Sequence, residues 1–403
     1  MKRKSPPTEP PAAPGMPERR SRLRDVAEAA GVSVATVSRV LNKATSVSDR
    51  TRRKIEAAIS DLGYTPNPVA RALTHGRTRV IAAVIPTLGH SIFSRFLHAI
   101  EDELAEHGYT LVVATTRESP AVEQARTRAL LEMGAEGVIL SGTERDPALV
   151  ALVSAFRVPA VLTSVYEPGA AFPTIGYDNA ALARRAVRHL VSLGHRRIAV
   201  LHGPALRNDR TRARLAGVAA ELEAAGGGRG RKGRRPAGNG HGGALPAVSA
   251  EYVEAALSEA GGCTAAARAL AAGGACGARP TALLCLSDVM ALGALFELQR
   301  AGLSVPGDVS VMGFDNIAWS GHAEPALTTI ALPVERMGRA AASALINRLE
   351  EGAEIQPQLL PGRLVIRAST GPAPAECCAG AEETTQQGTV VAGAAEGPRA
   401  LVK

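Results

Sequence analysis

The sequence has no long apolar run. No strictly apolar stretch is longer than Val80–Ile85, far short of the ~18–20 residues that a membrane-spanning helix needs. Cysteine is scarce. Five thiols in 403 residues, with no C-x-x-C, exclude a disulfide framework or a cysteine-built zinc site. Two of them, Cys377-Cys378, form a vicinal pair in a polar tail. The basic start Met1-Lys2-Arg3-Lys4 is followed by Pro6, Pro7, Pro10 and Pro11, where a secretory leader would be apolar. A cytoplasmic location is the expectation. G-x-x-x-x-G-K-[ST], H-E-x-x-H and G-x-S-x-G are all missing. That leaves an enzymatic reading little to stand on, and no cofactor or metal is expected.

The rest of the composition is that of a soluble globular protein, 46% apolar and 21% charged. It rules out collagen, coiled coil and full disorder. The length accommodates two to four domains. The net charge of +8 is unevenly placed. Residues 1–79 hold 16 Lys/Arg against 7 Asp/Glu, a surplus of nine, and the remainder is close to neutral. Such asymmetry points to a polyanion-binding end joined to a neutral domain.

Residues 1–21 read as a disordered basic tail rich in Pro and charge. Helical signals dominate 22–66. Val26, Ala29 and Ala30 give one apolar face, and Gly31-Val32-Ser33 is a turn in which Ser33 is an N-cap. Val34, Val37, Val40 and Leu41 mark a second helix. Ser48 caps a third, where Ile55, Ile59 and Leu62 stack before Gly63.

From Val80 the pattern changes. Strands are predicted over 80–85, 109–114, 137–140, 158–163, 198–201, 281–286, 309–314 and 364–367. Helices are predicted over 93–107, 122–132, 181–193 and 289–300. This alternation over 80–370 predicts parallel α/β sheets in two lobes, with a ligand crevice at the strands' carboxyl ends. The stretch 226–243, GGGRGRKGRRPAGNGHGG, reads as a mobile basic insertion. Its Gly228, Gly230 and Gly233 fit G-x-G-x-x-G, but not between the strand and helix that a dinucleotide site needs. Residues 371–403 read as a disordered tail without the leucine heptads of an assembly coil.

Two short helices around a glycine turn, in the stretch LRDVAEAAGVSVATVSRVLN from Leu23 to Asn42, make a helix-turn-helix. The helix 34–41 would enter a major groove with its N-terminal residues against base edges.

These residues resemble the lactose-repressor/galactose-repressor (LacI/GalR) family of transcriptional regulators. The likeness continues through VSDRTRRKIEAAISDLGYTPNPVARAL, LVSLGHRRIAVLHGP, SDVMALGAL, VPGDVSVMGFDN and PALTTI, and covers residues 22 to 370. It implies an all-α headpiece at 22–66, a hinge at 67–79 and an α/β two-lobed, periplasmic-binding-protein-like (type I) effector domain at 80–370. It also implies a repressor that binds pseudo-palindromic operator DNA as a homodimer and answers a small metabolite, a sugar or sugar acid. One departure lies at Arg22, where the family places a Thr/Ser cap; Ser21 could substitute one residue earlier.

By resemblance Val34, Ala35 and Arg39 occupy base-reading positions. Only Arg39 can make a bidentate pair, most often to guanine; Val34 and Ala35 offer apolar contact. Ser33, Thr36 and Ser38 carry hydroxyls suited to phosphates. In the hinge, Asn67-Pro68 is a proper helix start. Two turns are marginal in water, so the hinge should form only against its twin and DNA. The resemblance counts Asn67 and Ala70 among the DNA-contacting residues and makes Leu73 the wedge that kinks the duplex through the minor groove.

The resemblance assigns the effector site to His90, the aromatic platform Phe93, Arg212 and Asp315. Ser287 stands where Asn is usual, Ser164-Val165 replaces an Asp-Arg pair, and Ile92 replaces one of two aromatics. Those departures put a plain pentose or hexose in doubt. Two rival readings stay open here. One is a periplasmic or membrane-associated solute-binding protein, opposed by the helix-turn-helix and the missing leader. The other is a nucleotide-dependent enzyme built on the G-x-G-x-x-G loop.

Overall fold

Val26, Ala27 and Ala30 recur on one face of helix α1 (Leu23–Ala30) and are buried against Val37, Val40 and Ile55. This is a computed structural model, and it describes residues 21–41, 47–64, 76–226, 247–271 and 279–374. The chain divides into two compact units between Val80 and Ile81. In the first, Arg22 is the N-cap of α1, and the Asp25 carboxylate accepts its backbone N–H at 2.7 Å. Ser21 does not take the capping role offered to it. Its Oγ donates to the Leu62 carbonyl at 2.8 Å, tying the entering chain to the end of the third helix. Gly31 closes α1 at φ +65°, in the left-handed region where glycine carries no Cβ penalty. Ser33 then starts α2 (Val34–Leu41), its Oγ accepting the Thr36 N–H at 3.2 Å. Ser48 caps α3 (Asp49–Asp61) in the same way through Thr51.

The second unit holds two sheets. The first lobe runs β1 (Val80–Ile85), α4 (Ser91–Glu106), β2 (Thr110–Thr115), α5 (Pro120–Glu132), β3 (Gly137–Ser141), α6 (Pro147–Phe156), β4 (Ala160–Thr163) and β5 (Thr174–Gly176). The second runs α7 (Asn179–Ser192), β6 (Arg197–His202), α8 (Asp209–Gly226), β7 (Ser249–Glu254), α9 (Glu259–Ala271), β8 (Ala282–Cys285), α10 (Asp288–Arg300), β9 (Ser310–Asp315) and β10 (Thr328–Ala331). Helix α11 (Val334–Glu351) then packs back on α4, and β11 (Gln358–Leu359) pairs with β5. β12 (Arg363–Val365) returns to pair antiparallel with β10. The strand orders are β11-β5-β4-β3-β1-β2 and β12-β10-β9-β8-β6-β7. The chain therefore crosses between lobes three times, after β5, after β10 and after β11. One buried core cluster draws on both lobes, including Ile139 and Ile81 of the first and Val200 and Phe314 of the second.

The predicted strands and helices are present, with ends shifted by at most two residues. The sequence pattern did not mark α6, α9, α11, β5, β7, β10 or β11. The predicted tail also begins too early. Gly371 N–H donates to Ser310 Oγ at 3.0 Å and Ala373 N–H to the Leu193 carbonyl at 2.9 Å, so residues 371–374 belong to the second lobe. His195, buried beneath them, lies 3.0 Å from Thr281 Oγ1 and 3.1 Å from Ser310 Oγ; burial lowers its pKa. The predicted basic insertion lies outside the described residues, except for Gly226, which ends α8.

Candidate functional site

On α2, Val37 and Val40 face the headpiece core, which turns Ser33, Val34, Ala35 and Arg39 outward as exposed residues. Val34 is 41% exposed, an unusual position for a branched apolar side chain with a core beside it. Thr36 and Ser38 lie half-buried on the flanks. A helix so placed can enter a groove with its N-terminal residues first. Asn67, Ala70 and Leu73 of the hinge lie outside the described residues.

The other site is a cleft between the lobes of the second unit. His90, Phe93, Ser164, Ser287 and Asp315 all line it, as does Ile92. The His90 and Phe93 rings stack at 6.5 Å with an interplanar angle of 18°. His90 Nε2 reaches the Leu257 carbonyl of the opposite lobe at 3.1 Å. Two wall residues stand at strand ends with positive φ, Ser164 at +70° and Asp315 at +126°. Neither is glycine, so the backbone is strained where β4 and β9 deliver their side chains to the cleft.

Arg212 is not in this cleft. It is 45% exposed, donates to the Ala205 carbonyl at 2.9 Å and pairs with Glu144. The helix period explains the correction. Arg210 and Arg214 lie four residues apart on one face of α8, whereas Arg212 sits half a turn away. Arg214 and Arg210 are the guanidinium groups that line the cleft, and Gly217 and Val218, three and four residues on from Arg214, are buried. The spacing to that buried pair was the available signal.

Arg214 is held from several sides. It lies 4.0 Å over the Phe314 ring, donates from Nε to Asn179 Oδ1 at 2.9 Å and from Nη1 to the Leu286 carbonyl at 2.7 Å. It stands 3.6 Å from Asp315. Asn179 in turn donates to the Ser164 carbonyl at 2.9 Å. A polar chain thus runs from β4 through the first crossover to β9. Asp315 also accepts from Ser287 Oγ at 2.9 Å. Burial pushes the Asp315 carboxyl up to about 7, against the pull of Arg214 and with some help from Asp288. Asp288 is fully buried below and is also raised by burial, although Ser320, Thr329 and the Ile317 N–H all donate to it. Tyr177, another wall residue, is raised by burial as well.

A clasp joins the lobes at the rim. Asp209, at the start of α8, accepts the Thr143 N–H at 2.5 Å, Thr143 Oγ1 at 3.2 Å and the Glu144 N–H at 3.2 Å. Burial alone would raise its pKa, but Arg210 and these donors hold it below the usual carboxylate range.

Residues 22–67 match the model described as bacterial regulatory proteins, lacI family. Residues 78–232 match periplasmic binding proteins and sugar binding domain of LacI family, and 187–370 match a periplasmic binding protein-like domain. The HTH-type transcriptional regulator reg1 of Streptomyces lividans is 36% identical over 88% of this chain and 98% of its own. The chain belongs to the LacI family of bacterial regulatory proteins. DegA, an HTH-type transcriptional regulator of Bacillus subtilis (strain 168), is 31% identical over 87% of this chain and 98% of its own. A crystal structure of the Lac repressor dimer bound to operator and the anti-inducer ONPF superposes with a TM-score of 0.75. It is 32% identical and covers 88% of this chain and all of the other. This LacI-family protein is therefore a DNA-binding transcriptional regulator, with a helix-turn-helix headpiece and a two-lobed periplasmic-binding-protein-like domain. The solute-carrier reading gives way to that membership, and the relatives matched are transcriptional regulators. Among the described residues no helix is long and apolar enough to cross a membrane.

Proposed function

We propose that this regulator is a cytoplasmic repressor that grips a pseudo-palindromic operator as a homodimer and responds to a neutral sugar held between its lobes. One headpiece offers a single eight-residue reading helix. Two related by a dyad would reach major grooves one turn, ~34 Å, apart, where two half-sites add their free energies. The Lac repressor dimer on its operator supports that arrangement. The observation that carries the effector reading is the cleft wall, which Asp315, Arg214 and the Phe93 ring line together. A carboxylate acceptor, a guanidinium donor and an apolar face together suit a ring bearing hydroxyls. The nearby guanidinium groups already have carboxylate partners: Arg214 has Asp315, Arg212 has Glu144 and Arg210 has Asp209. Among the described residues a sugar acid would find no unpaired guanidinium in this cleft, so a neutral sugar is the better fit. The sugar-binding description of the model matched by 78–232 agrees.

Ligand contact would act through the clasp and the Ser164–Asn179–Arg214–Asp315 chain, altering lobe closure and with it the hinge. The test is selection of genomic fragments bound by the purified protein, followed by gel shifts with sugars handled by the neighbouring gene products. A sugar that shifts operator affinity 5–150-fold, the usual 1–3 kcal/mol of coupling, is the expected result. A stable monomer that binds one half-site tightly would refute the dimer.

A further inference from the structure

A second chamber adjoins the cleft. It is larger, about 480 Å³ against about 90 Å³, and it shares Pro86, Glu118 and Arg210 with its neighbour, so the two are compartments of one interlobe space. Its floor is the end of β3 with the loop that follows, its side the first turns of α5, and its far wall the start of α8.

The floor is polar and deeply buried. Arg145, with a side chain 5% exposed, pairs with Glu123 at 2.5 Å, and Glu123 is itself only 12% exposed. Arg145 Nη2 also donates to the Ser141 and Gly142 carbonyls at 2.6 and 3.0 Å. Two atoms of this floor remain unsatisfied: Arg145 Nε and Ser141 Oγ are buried without a hydrogen-bond partner among the described residues. Orphaned polar atoms of this kind are uncommon in folded proteins and call for a reason. One donor and one hydroxyl on residues that line the same chamber are what a bound hydroxyl group would satisfy after a small side-chain adjustment. Five carboxylates and three guanidinium groups line the space, so it repels an anion and suits a neutral polyhydroxyl group.

We propose that this chamber is a second sugar-ring subsite, so that the effector is a glycoside of at least two linked rings, one against Phe93 and Asp315 and the next over Ser141 and Arg145. The proposal rests on the sugar reading given above and extends it from one ring to two.

The experiment is calorimetric titration of the full-length protein with a panel of neutral mono-, di- and trisaccharides. The expected tightest binder has two or more rings and binds at least tenfold better than any of its component monosaccharides. Ala121→Trp, at an exposed position on the chamber rim, should weaken that binder at least tenfold and leave its one-ring fragment unchanged. Ser141→Ala removes an unpaired buried hydroxyl, so it should keep or raise the Tm of the free protein yet weaken the multi-ring binder. A role in packing alone would lower Tm and leave binding untouched. Gln124→Ala, on another wall, gives a third check. A monosaccharide that binds as tightly as any larger glycoside and is lost on Phe93→Ala would overturn the second subsite and leave the single-ring reading standing. Wild-type binding of the multi-ring ligand by Ala121→Trp and Ser141→Ala would overturn it as well. If no member of the panel binds, the sugar reading falls and the subsite with it.

Discussion

Replacing Asp315 with Asn isolates the one cleft carboxylate that sits on the edge of ionisation at neutral pH. Its oxygens face Ser287 Oγ at 2.9 Å and Arg214 at 3.6 Å, Asp288 lies beneath, and burial sets the carboxyl at about 7. A ligand hydroxyl donates to the ionised form. Protonation removes that acceptor, so affinity should grow as pH rises through 7. If the complex is fully ionised, Kd at pH 6 should be about tenfold weaker than at pH 8, the ratio that a single group titrating at about 7 imposes. Calorimetry at pH 7, repeated in buffers of different ionisation enthalpy, should show about half a proton released per site on binding. Glu118, Tyr177 and His90 also line the cleft, and the variant separates Asp315 from them. Asp315→Asn should bind more weakly at pH 8 and lose the slope. The sign for stability is the reverse. A carboxyl raised on folding contributes stability that is present below its unfolded pKa of ~4 and lost as pH rises through 7. The free wild type should therefore lose stability relative to Asp315→Asn across that window. A flat profile in the wild type, or a slope that survives in Asp315→Asn, would refute the assignment.

Arg39→Ala should cost ~1–3 kcal/mol at the operator and relax one base preference, read by gel shifts over a substituted site series. Leu73→Ala should lower operator affinity and reduce the bend measured by fragment mobility, while the thermal unfolding of the protein stays unchanged. Arg214→Ala should destabilise the second unit by ~3–5 kcal/mol in denaturant titration, since it strands a buried carboxylate, and Asp315→Asn added to it should restore part of the loss. Arg212→Ala, by contrast, should still bind the effector in calorimetry, because the Arg212 side chain does not line the cleft, although it loosens the interlobe pair with Glu144; abolished binding would return Arg212 to the site.

Much of this molecule was legible before any coordinates. The headpiece follows from Val26, Ala30, Val37 and Val40 with turn residues at Gly31 and Ser33, all local signals. Central strands such as Val80–Ile85 and the Val311–Phe314 stretch of β9 are apolar because both of their faces are covered. Helix α9 was not legible, for its sequence EAGGCTAAARALA carries two adjacent glycines. They are there for contact rather than flexibility. A Cβ on Gly262 would meet the Met290 carbonyl at 2.2 Å, and one on Gly293 of α10 would meet the Glu259 carbonyl at 2.0 Å. Only tertiary contact explains a helix with that composition, and no single-segment pattern contains it. The edge strand β7, SAEYVE, is half exposed and lacks the apolar run that marked its neighbours. In the cleft, His90, Phe93, Ser164, Ser287 and Asp315 came from the family resemblance, and all five line one cavity. The choice between Arg212 and Arg214 needed the helical phase of α8.

The three crossovers have a consequence for synthesis. Lobe one lacks its covering helix and edge strand until α11 and β11 are made, and lobe two lacks β12 and its latch at 371–374 until a few residues later. Neither lobe is complete on a ribosome that has stopped anywhere before residue 360. The headpiece, with its own core, is complete hundreds of residues sooner. A prematurely terminated chain would thus carry a finished DNA-reading helix on an effector domain that cannot close.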